Sequence, residues 1–193
     1  EYTERVYQHE WLGYVGQKEL IKKMASHPWI LFVDADEEVS SELRDEILRE
    51  FESGNNRAFD GYEFPRRVFY LGTWIKHGEW SPDIKLRLYR KEKGVCTGRE
   101  PHDRVEVQGP VKRLRGFLYH YTYEDMSDQV MTLNKFSTIS ANGMCQEGRR
   151  FSLVDLLLRP LFRFFKGFIF KRGFLDGFRG FLIAVISAFG VFL

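Results

Sequence analysis

An α/β fold is predicted from three features of this chain. Trp29, Ile30, Leu31, Phe32 and Val33 form an unbroken apolar run that stops at Asp34, Ala35, Asp36, Glu37 and Glu38. Helical spacing recurs on both sides of that run, and over residues 60–91 it gives way to strand-like alternation. With 193 residues and 16% aromatic content, the chain is long enough to bury a substantial core and reads as globular.

Taken in order, residues 17–26 are expected to form a helix, with Leu20, Ile21 and Met24 at helical spacing and His27-Pro28 ending it. The apolar run 29–33 has the character of a central parallel strand buried on both faces. After the acidic residues, Ser40 or Ser41 is placed to cap a helix whose apolar positions are Leu43, Ile47, Leu48 and Phe51, with Glu42, Asp45 and Glu46 near its positive end. Over residues 60–91, Tyr62, Phe64, Val68 and Tyr70, then Ile84, Leu86 and Leu88, alternate with polar residues, and Pro65, Gly72, Gly78 and Pro82 interrupt them. This predicts strands separated by a long loop. Residues 104–107 and 116–121 are expected to be a further strand pair around Gln108-Gly109-Pro110, followed by a helix over 127–144 with Val130, Leu133, Phe136 and Ile139 inward.

The chemistry is expected where the apolar run ends. Ligands of open α/β sheets bind beyond the carboxyl ends of strands. Asp34 and Asp36 would share one side of an extended chain, and hard cations prefer carboxylate and phosphate oxygens, so Mg²⁺ or Mn²⁺ with a diphosphate fits the pair. An Asp-x-Asp triplet also occurs as an ordinary turn or helix start. In the run from Asp83 to Arg90, alternation would put the apolar residues on one face and Lys85 and Arg87 on the other, a basic face for phosphate or simply a solvated one. Trp74 and Trp80, near His77 and Glu79, are placed either to stack on a sugar ring or to pack their loop.

A net charge of +2 is too small to argue for nucleic acid. Residues 151–193 differ from the rest: Arg159, Arg163, Lys166, Lys171, Arg172 and Arg179 stand against only Asp155 and Asp176, among many phenylalanines. The uncharged run 180–193 falls short of the roughly 20 residues that span a bilayer. The segment reads as an amphipathic, membrane-surface tail, or as a packed helical hairpin, after a first domain over 1–150. Cys96 and Cys145 lack disulfide or zinc-site spacing and fit a reducing compartment. The opening residues show no signal-peptide pattern, and the chain is expected to be a fragment.

The stretch Trp11-Leu12-Gly13-Tyr14-Val15-Gly16-Gln17-Lys18, with the apolar run and its Asp34-Ala35-Asp36-Glu37-Glu38 ending, resembles family 2 glycosyltransferases, most of all the bacterial branch with lipopolysaccharide-core β-glucosyltransferases. Lys171-Arg172-Gly173-Phe174-Leu175-Asp176-Gly177-Phe178-Arg179-Gly180 is similar to that branch too. The resemblance implies a GT-A, Rossmann-like mixed sheet flanked by helices, incomplete at its N-terminus because the metal motif stands so early. It further implies metal-dependent, inverting transfer from a nucleotide sugar to a lipopolysaccharide-core or lipid-linked acceptor, with peripheral attachment at the cytoplasmic face of the inner membrane. By it, Asp36 coordinates the cation, Asp34 lies near the donor's ribose or a metal-bound water, and Asp103 in Gly98-Arg99-Glu100-Pro101-His102-Asp103-Arg104 is the base, with Glu100 the alternative. His120, and less so His102, would contact metal or phosphate, and the resemblance raises Lys85 and Arg87 as donor contacts. Glu19 stands where the family often has Asn. A nucleotidyltransferase and a non-catalytic, membrane-associated binding module are the alternatives.

Overall fold

The computed structural model describes residues 4–99 and 102–193. In chain order these form α1 (Gly13–Met24), β1 (Trp29–Leu31), β2 (Glu37–Val39), α2 (Ser41–Glu52), β3 (Gly61–Tyr70), β4 (Thr73–Trp74), β5 (Asp83–Arg90), β6 (Gly94–Arg99), β7 (His102–Val107), β8 (Val111–Arg113), β9 (Leu118–Tyr121), α3 (Met126–Gln146), α4 (Leu153–Phe165) and α5 (Gly177–Phe192). The main sheet runs β1-β5-β3-β9-β2, with β4 and β8 also pairing to β3. It is mixed, since β3 is parallel to β8 and β9 and antiparallel to β4 and β5. The α/β class with a mixed sheet and flanking helices therefore stands.

Its core follows from the β3 alternation. Tyr62 and Phe64 are fully buried with Leu43, Leu88, Leu114 and Leu118, and Trp29, Ile47 and Phe51 close over them. Ser40 is the cap of α2, its hydroxyl accepting the Leu43 N–H at 3.1 Å. Leu48, expected inward, is 50% exposed, because it lies about 140° round the helix from Leu43. Val130, also expected inward on α3, is exposed: Gln129 takes the inward position and accepts the Tyr70 hydroxyl hydrogen.

Two expectations about the strands are corrected. The 29–33 segment is no central parallel strand: β1 is short, lies at one end of the sheet's path and pairs antiparallel with β5. Ile30 and Phe32 are buried beside Tyr89 and Cys96, whereas Leu31 and Val33 stay about 40% exposed. Residues 104–107 and 116–121 do not pair with each other. β7 instead forms a separate two-stranded sheet with β6, a strand the sequence reading missed, and β9 lies between β3 and β2.

The alternation over β5 is broken as well. Tyr62 and Glu63 face Leu88 and Leu86 in turn, so Arg87 is the extra residue of a β-bulge. Leu88 then faces the Tyr62 cluster, while Leu86 packs with Tyr89 on the other. The bulge re-aims Arg87 inward.

Residues 151–193 form a helical hairpin attached to the sheet. Phe164 and Phe168 meet Phe181 across it, and Ile183 is buried with Val68, Tyr70 and Ile75. Asp176 accepts the backbone N–H groups of Lys76 and His77 and lies 3.1 Å from His77 Nδ1. Arg163 Nη2 reaches the buried Glu79 carboxylate at 3.0 Å. The outer surface stays apolar, with Leu157, Leu161, Phe170, Phe174 and Phe178 exposed. Gly173–Phe192 is long and apolar enough to cross a membrane by length and composition.

Candidate functional site

The acidic pair is folded into a turn. The Glu37 N–H donates to the Asp34 carbonyl at 3.0 Å, and the Asp34 N–H donates to Glu37 Oε2 at 3.0 Å. The two aspartates consequently do not share one side of an extended chain, and their carboxylates have different partners. Asp34 accepts from Arg87 Nη2 at 2.6 Å and lies 3.7 Å from Lys18 Nζ. Asp36 lies 3.0 Å from His120 Nε2, and β2 was missed because its short Glu37–Val39 span reads as a loop.

Electrostatics separates the two further. Burial alone would raise the Asp34 pKa, but the charges of Arg87 and Lys18 outweigh it and hold the carboxyl below its ordinary value. Burial, helped by Arg66, pushes His120 down despite Asp36, which favours a neutral imidazole. Asp36 is 47% exposed at an open cavity of about 520 Å³, lined also by Tyr121, Thr122, Glu124, Asp125 and Asp128.

Asp103 on β7 is brought to the same region: Lys18 Nζ is 2.7 Å from Asp103 and 3.7 Å from Asp34. Arg87, expected on an exposed basic face, is 7% exposed and is bound by Asp34 and Glu37. Lys85 pairs with Asp83 at 3.0 Å, and Asp83 holds Arg66. An alternating chain of charges results, running Asp103, Lys18, Asp34, Arg87, Glu37, Arg66, Asp83, Lys85. Glu37, Lys18 and Arg66 were missed as site residues; the visible signal was Glu37's place directly after the aspartates and Lys18's in the motif 11–18. Glu100 lies outside the described residues, as does the His102 side chain.

Glu19 has a structural partner, accepting the Cys96 N–H at 2.7 Å and tying α1 to β6. Trp74 packs against Phe69, Tyr119 and Tyr121, and Trp80 against Tyr70 and Tyr123. Among the described residues, no group of three or more His, Cys, Asp or Glu side chains forms a ready metal cage. The donors present still suit one kind of ion. Mg²⁺ is commonly held by one or two carboxylates, the remaining oxygens coming from substrate phosphates and water, and the half-exposed Asp36 carboxylate at an open cavity fits that pattern.

A mixed sheet with flanking helices and an acidic turn at the end of β1 defines the class of protein, and comparison with known proteins supplies the family. The chain is 34% identical over 193 residues to an uncharacterized glycosyltransferase of Rickettsia typhi, covering 95% of this chain and 66% of the relative. It is 33% identical to an uncharacterized glycosyltransferase of Rickettsia felis, covering 95% and 68%, and 29% identical to the lipopolysaccharide core biosynthesis glycosyltransferase LpsC of Rhizobium meliloti, covering 95% and 68%. No family model matches the chain. The protein belongs to this family of glycosyltransferases, and it spans about two thirds of the length of the curated relatives it matches.

Proposed function

We propose that the protein is a metal-dependent, inverting glycosyltransferase that moves a sugar from a nucleotide-sugar donor to a lipopolysaccharide-core or lipid-linked acceptor at the cytoplasmic face of the inner membrane. The observation that carries the reading is the division of labour in the acidic turn of a chain from this family. Asp34 is bound by Arg87 and Lys18, while Asp36 is left half-exposed beside His120. Asp36, with His120, would hold Mg²⁺ or Mn²⁺, which when bound offsets the charge developing on the departing diphosphate. The acceptor oxygen attacks the anomeric carbon as its bond to the diphosphate breaks, and the acceptor proton passes to the Asp103 carboxylate. Lys18, in contact with Asp103 and near Asp34, keeps the base beside the acidic turn. Lys85 supplies positive charge along the donor side, and Arg87, buried behind the turn, holds Asp34 in place.

The test is the product. Full-length protein given nucleotide sugars and a lipopolysaccharide-core acceptor is expected to release a nucleoside diphosphate. Release of pyrophosphate from a nucleoside triphosphate and a sugar phosphate would mark a nucleotidyltransferase instead, and no turnover of either kind with retained acceptor binding would mark a binding module.

Residues 151–193 are proposed to rest on the membrane through the exposed face of the α4–α5 hairpin, with Lys171 and Arg172 at its rim. A triple change of Phe170, Phe174 and Phe178 to Glu is expected to shift the protein from the floating to the soluble fraction with vesicles containing anionic lipid. Unchanged flotation would discard the surface anchor.

A further inference from the structure

We propose that Glu37 is the positioning residue of the candidate site, the group that sets the shape of the turn carrying Asp34 and Asp36. Its side chain is fully buried, yet every polar atom has a partner belonging to the site. Oε1 accepts from Arg87 Nη2 at 2.9 Å and from Arg66 Nη1 at 3.1 Å, and Oε2 accepts the Asp34 N–H at 3.0 Å. Its own N–H closes the turn on the Asp34 carbonyl, and its backbone pairs with His120 across β2 and β9. One residue therefore fixes the backbone of Asp34, the guanidinium that grips Asp34's carboxylate, and the strand register that sets His120 beside Asp36.

The charges explain why a carboxylate is needed. Arg66 and Arg87 are largely buried, and an unpaired buried charge is strongly destabilising, so Glu37 stands between two cations and adds its charge to the pairing that Asp83 gives Arg66 and Asp34 gives Arg87. Gln at this position cannot replace it: the amide oxygen serves either the arginines or the Asp34 N–H, and the amide nitrogen then faces a donor.

Two readouts on the full-length protein test this. In E37Q, amide exchange at Asp34 and Glu37 is expected to accelerate about tenfold or more while β3 amides keep their protection. This arm is independent of any metal, and unchanged exchange would overturn the proposal. The second readout rests on the reading of Asp36 as cation ligand: measured well below a lowered unfolding temperature, Mn²⁺ with UDP is expected to bind E37Q about 10–100-fold more weakly, as for partners that orient metal ligands. If D36N weakens Mn²⁺ and UDP binding but E37Q does not, the positioning role falls. If D36N leaves that binding unaltered, the cation reading fails instead, and the exchange arm alone decides for or against Glu37. Should E37Q fail to fold, E37D, which keeps the charge but is a methylene too short to reach both arginines and the turn, is expected to show the same two changes; wild-type values in it would overturn the proposal.

Discussion

Replacing Asp36 by Asn is expected to lower sugar transfer by the full-length protein about a thousandfold, roughly 4 kcal/mol of lost transition-state stabilisation, with thermal unfolding unchanged. The stability half follows from exposure. The Asp36 side chain is 47% exposed and its hydrogen-bond partner is His120, so an amide of the same shape keeps the contact and the fold. The activity half follows from charge: an amide oxygen is a far weaker ligand for a hard cation than a carboxylate, and the cation's work is done as negative charge builds on the leaving diphosphate. Asp34 gives the contrast. Its carboxylate is half-buried and gripped by Arg87 at 2.6 Å, so Asp34→Asn is expected to cost about 1–3 kcal/mol of stability as well as activity. Differential scanning calorimetry beside a transfer assay separates the two. Transfer by Asp36→Asn within threefold of wild type would remove the metal role, and equal unfolding losses in both variants would remove the division of labour between the aspartates.

How far the sequence leads can be seen from three places in the molecule. Where a pattern rests on one local cause it is legible: Ser40 caps α2, and the Tyr62, Phe64, Val68 and Tyr70 alternation builds β3. Where burial depends on what lies across the sheet it is not. The apolar run at 29–33 has the composition of a central strand, yet whether Leu31 and Val33 are covered is a matter of topology, and in the described residues they are not. The site shows the same limit. Asp34, Asp36, Asp103 and His120 were all visible as residue types, but the bulge at Arg87 and the turn at Glu37 are set by register, and these two features decide which carboxylate is occupied. A charged residue after a strand looks alike in sequence whether it is solvated or, like Glu37, wholly buried between two arginines.

The largest effect on stability is expected at Gly116, a residue outside the candidate site. A Cβ there would overlap the backbone N and Cα of Leu43, the fully buried residue at the start of α2, and backbone cannot swing aside as a side chain can. Around this contact the cap of α2 is stitched to the segment entering β9. Ser40 Oγ accepts from Leu43 and Phe117 N–H groups, the Ser40 N–H donates to the Phe117 carbonyl, and Glu46 accepts from the N–H groups of Arg115 and Gly116. Gly116→Ala must push these elements apart, so it adds overpacking to the loss of several bonds; about 3 kcal/mol is expected, or roughly 6–12 °C in unfolding temperature for a chain of this size. Ser40→Ala removes the cap and the bond from the Phe117 N–H but adds no overlap, and is expected to cost about 1–2 kcal/mol. Because β2 and β9 carry Glu37 and His120, separating the α2 cap from β9 also disturbs the pairing that sets His120 beside Asp36. Gly116→Ala is therefore expected to weaken Mn²⁺ and UDP binding even well below its unfolding temperature, whereas Ser40→Ala leaves it near wild type. Stability equal to wild type in Gly116→Ala, read by calorimetry, would show that this close approach of β9 to α2 is not what holds the two elements together.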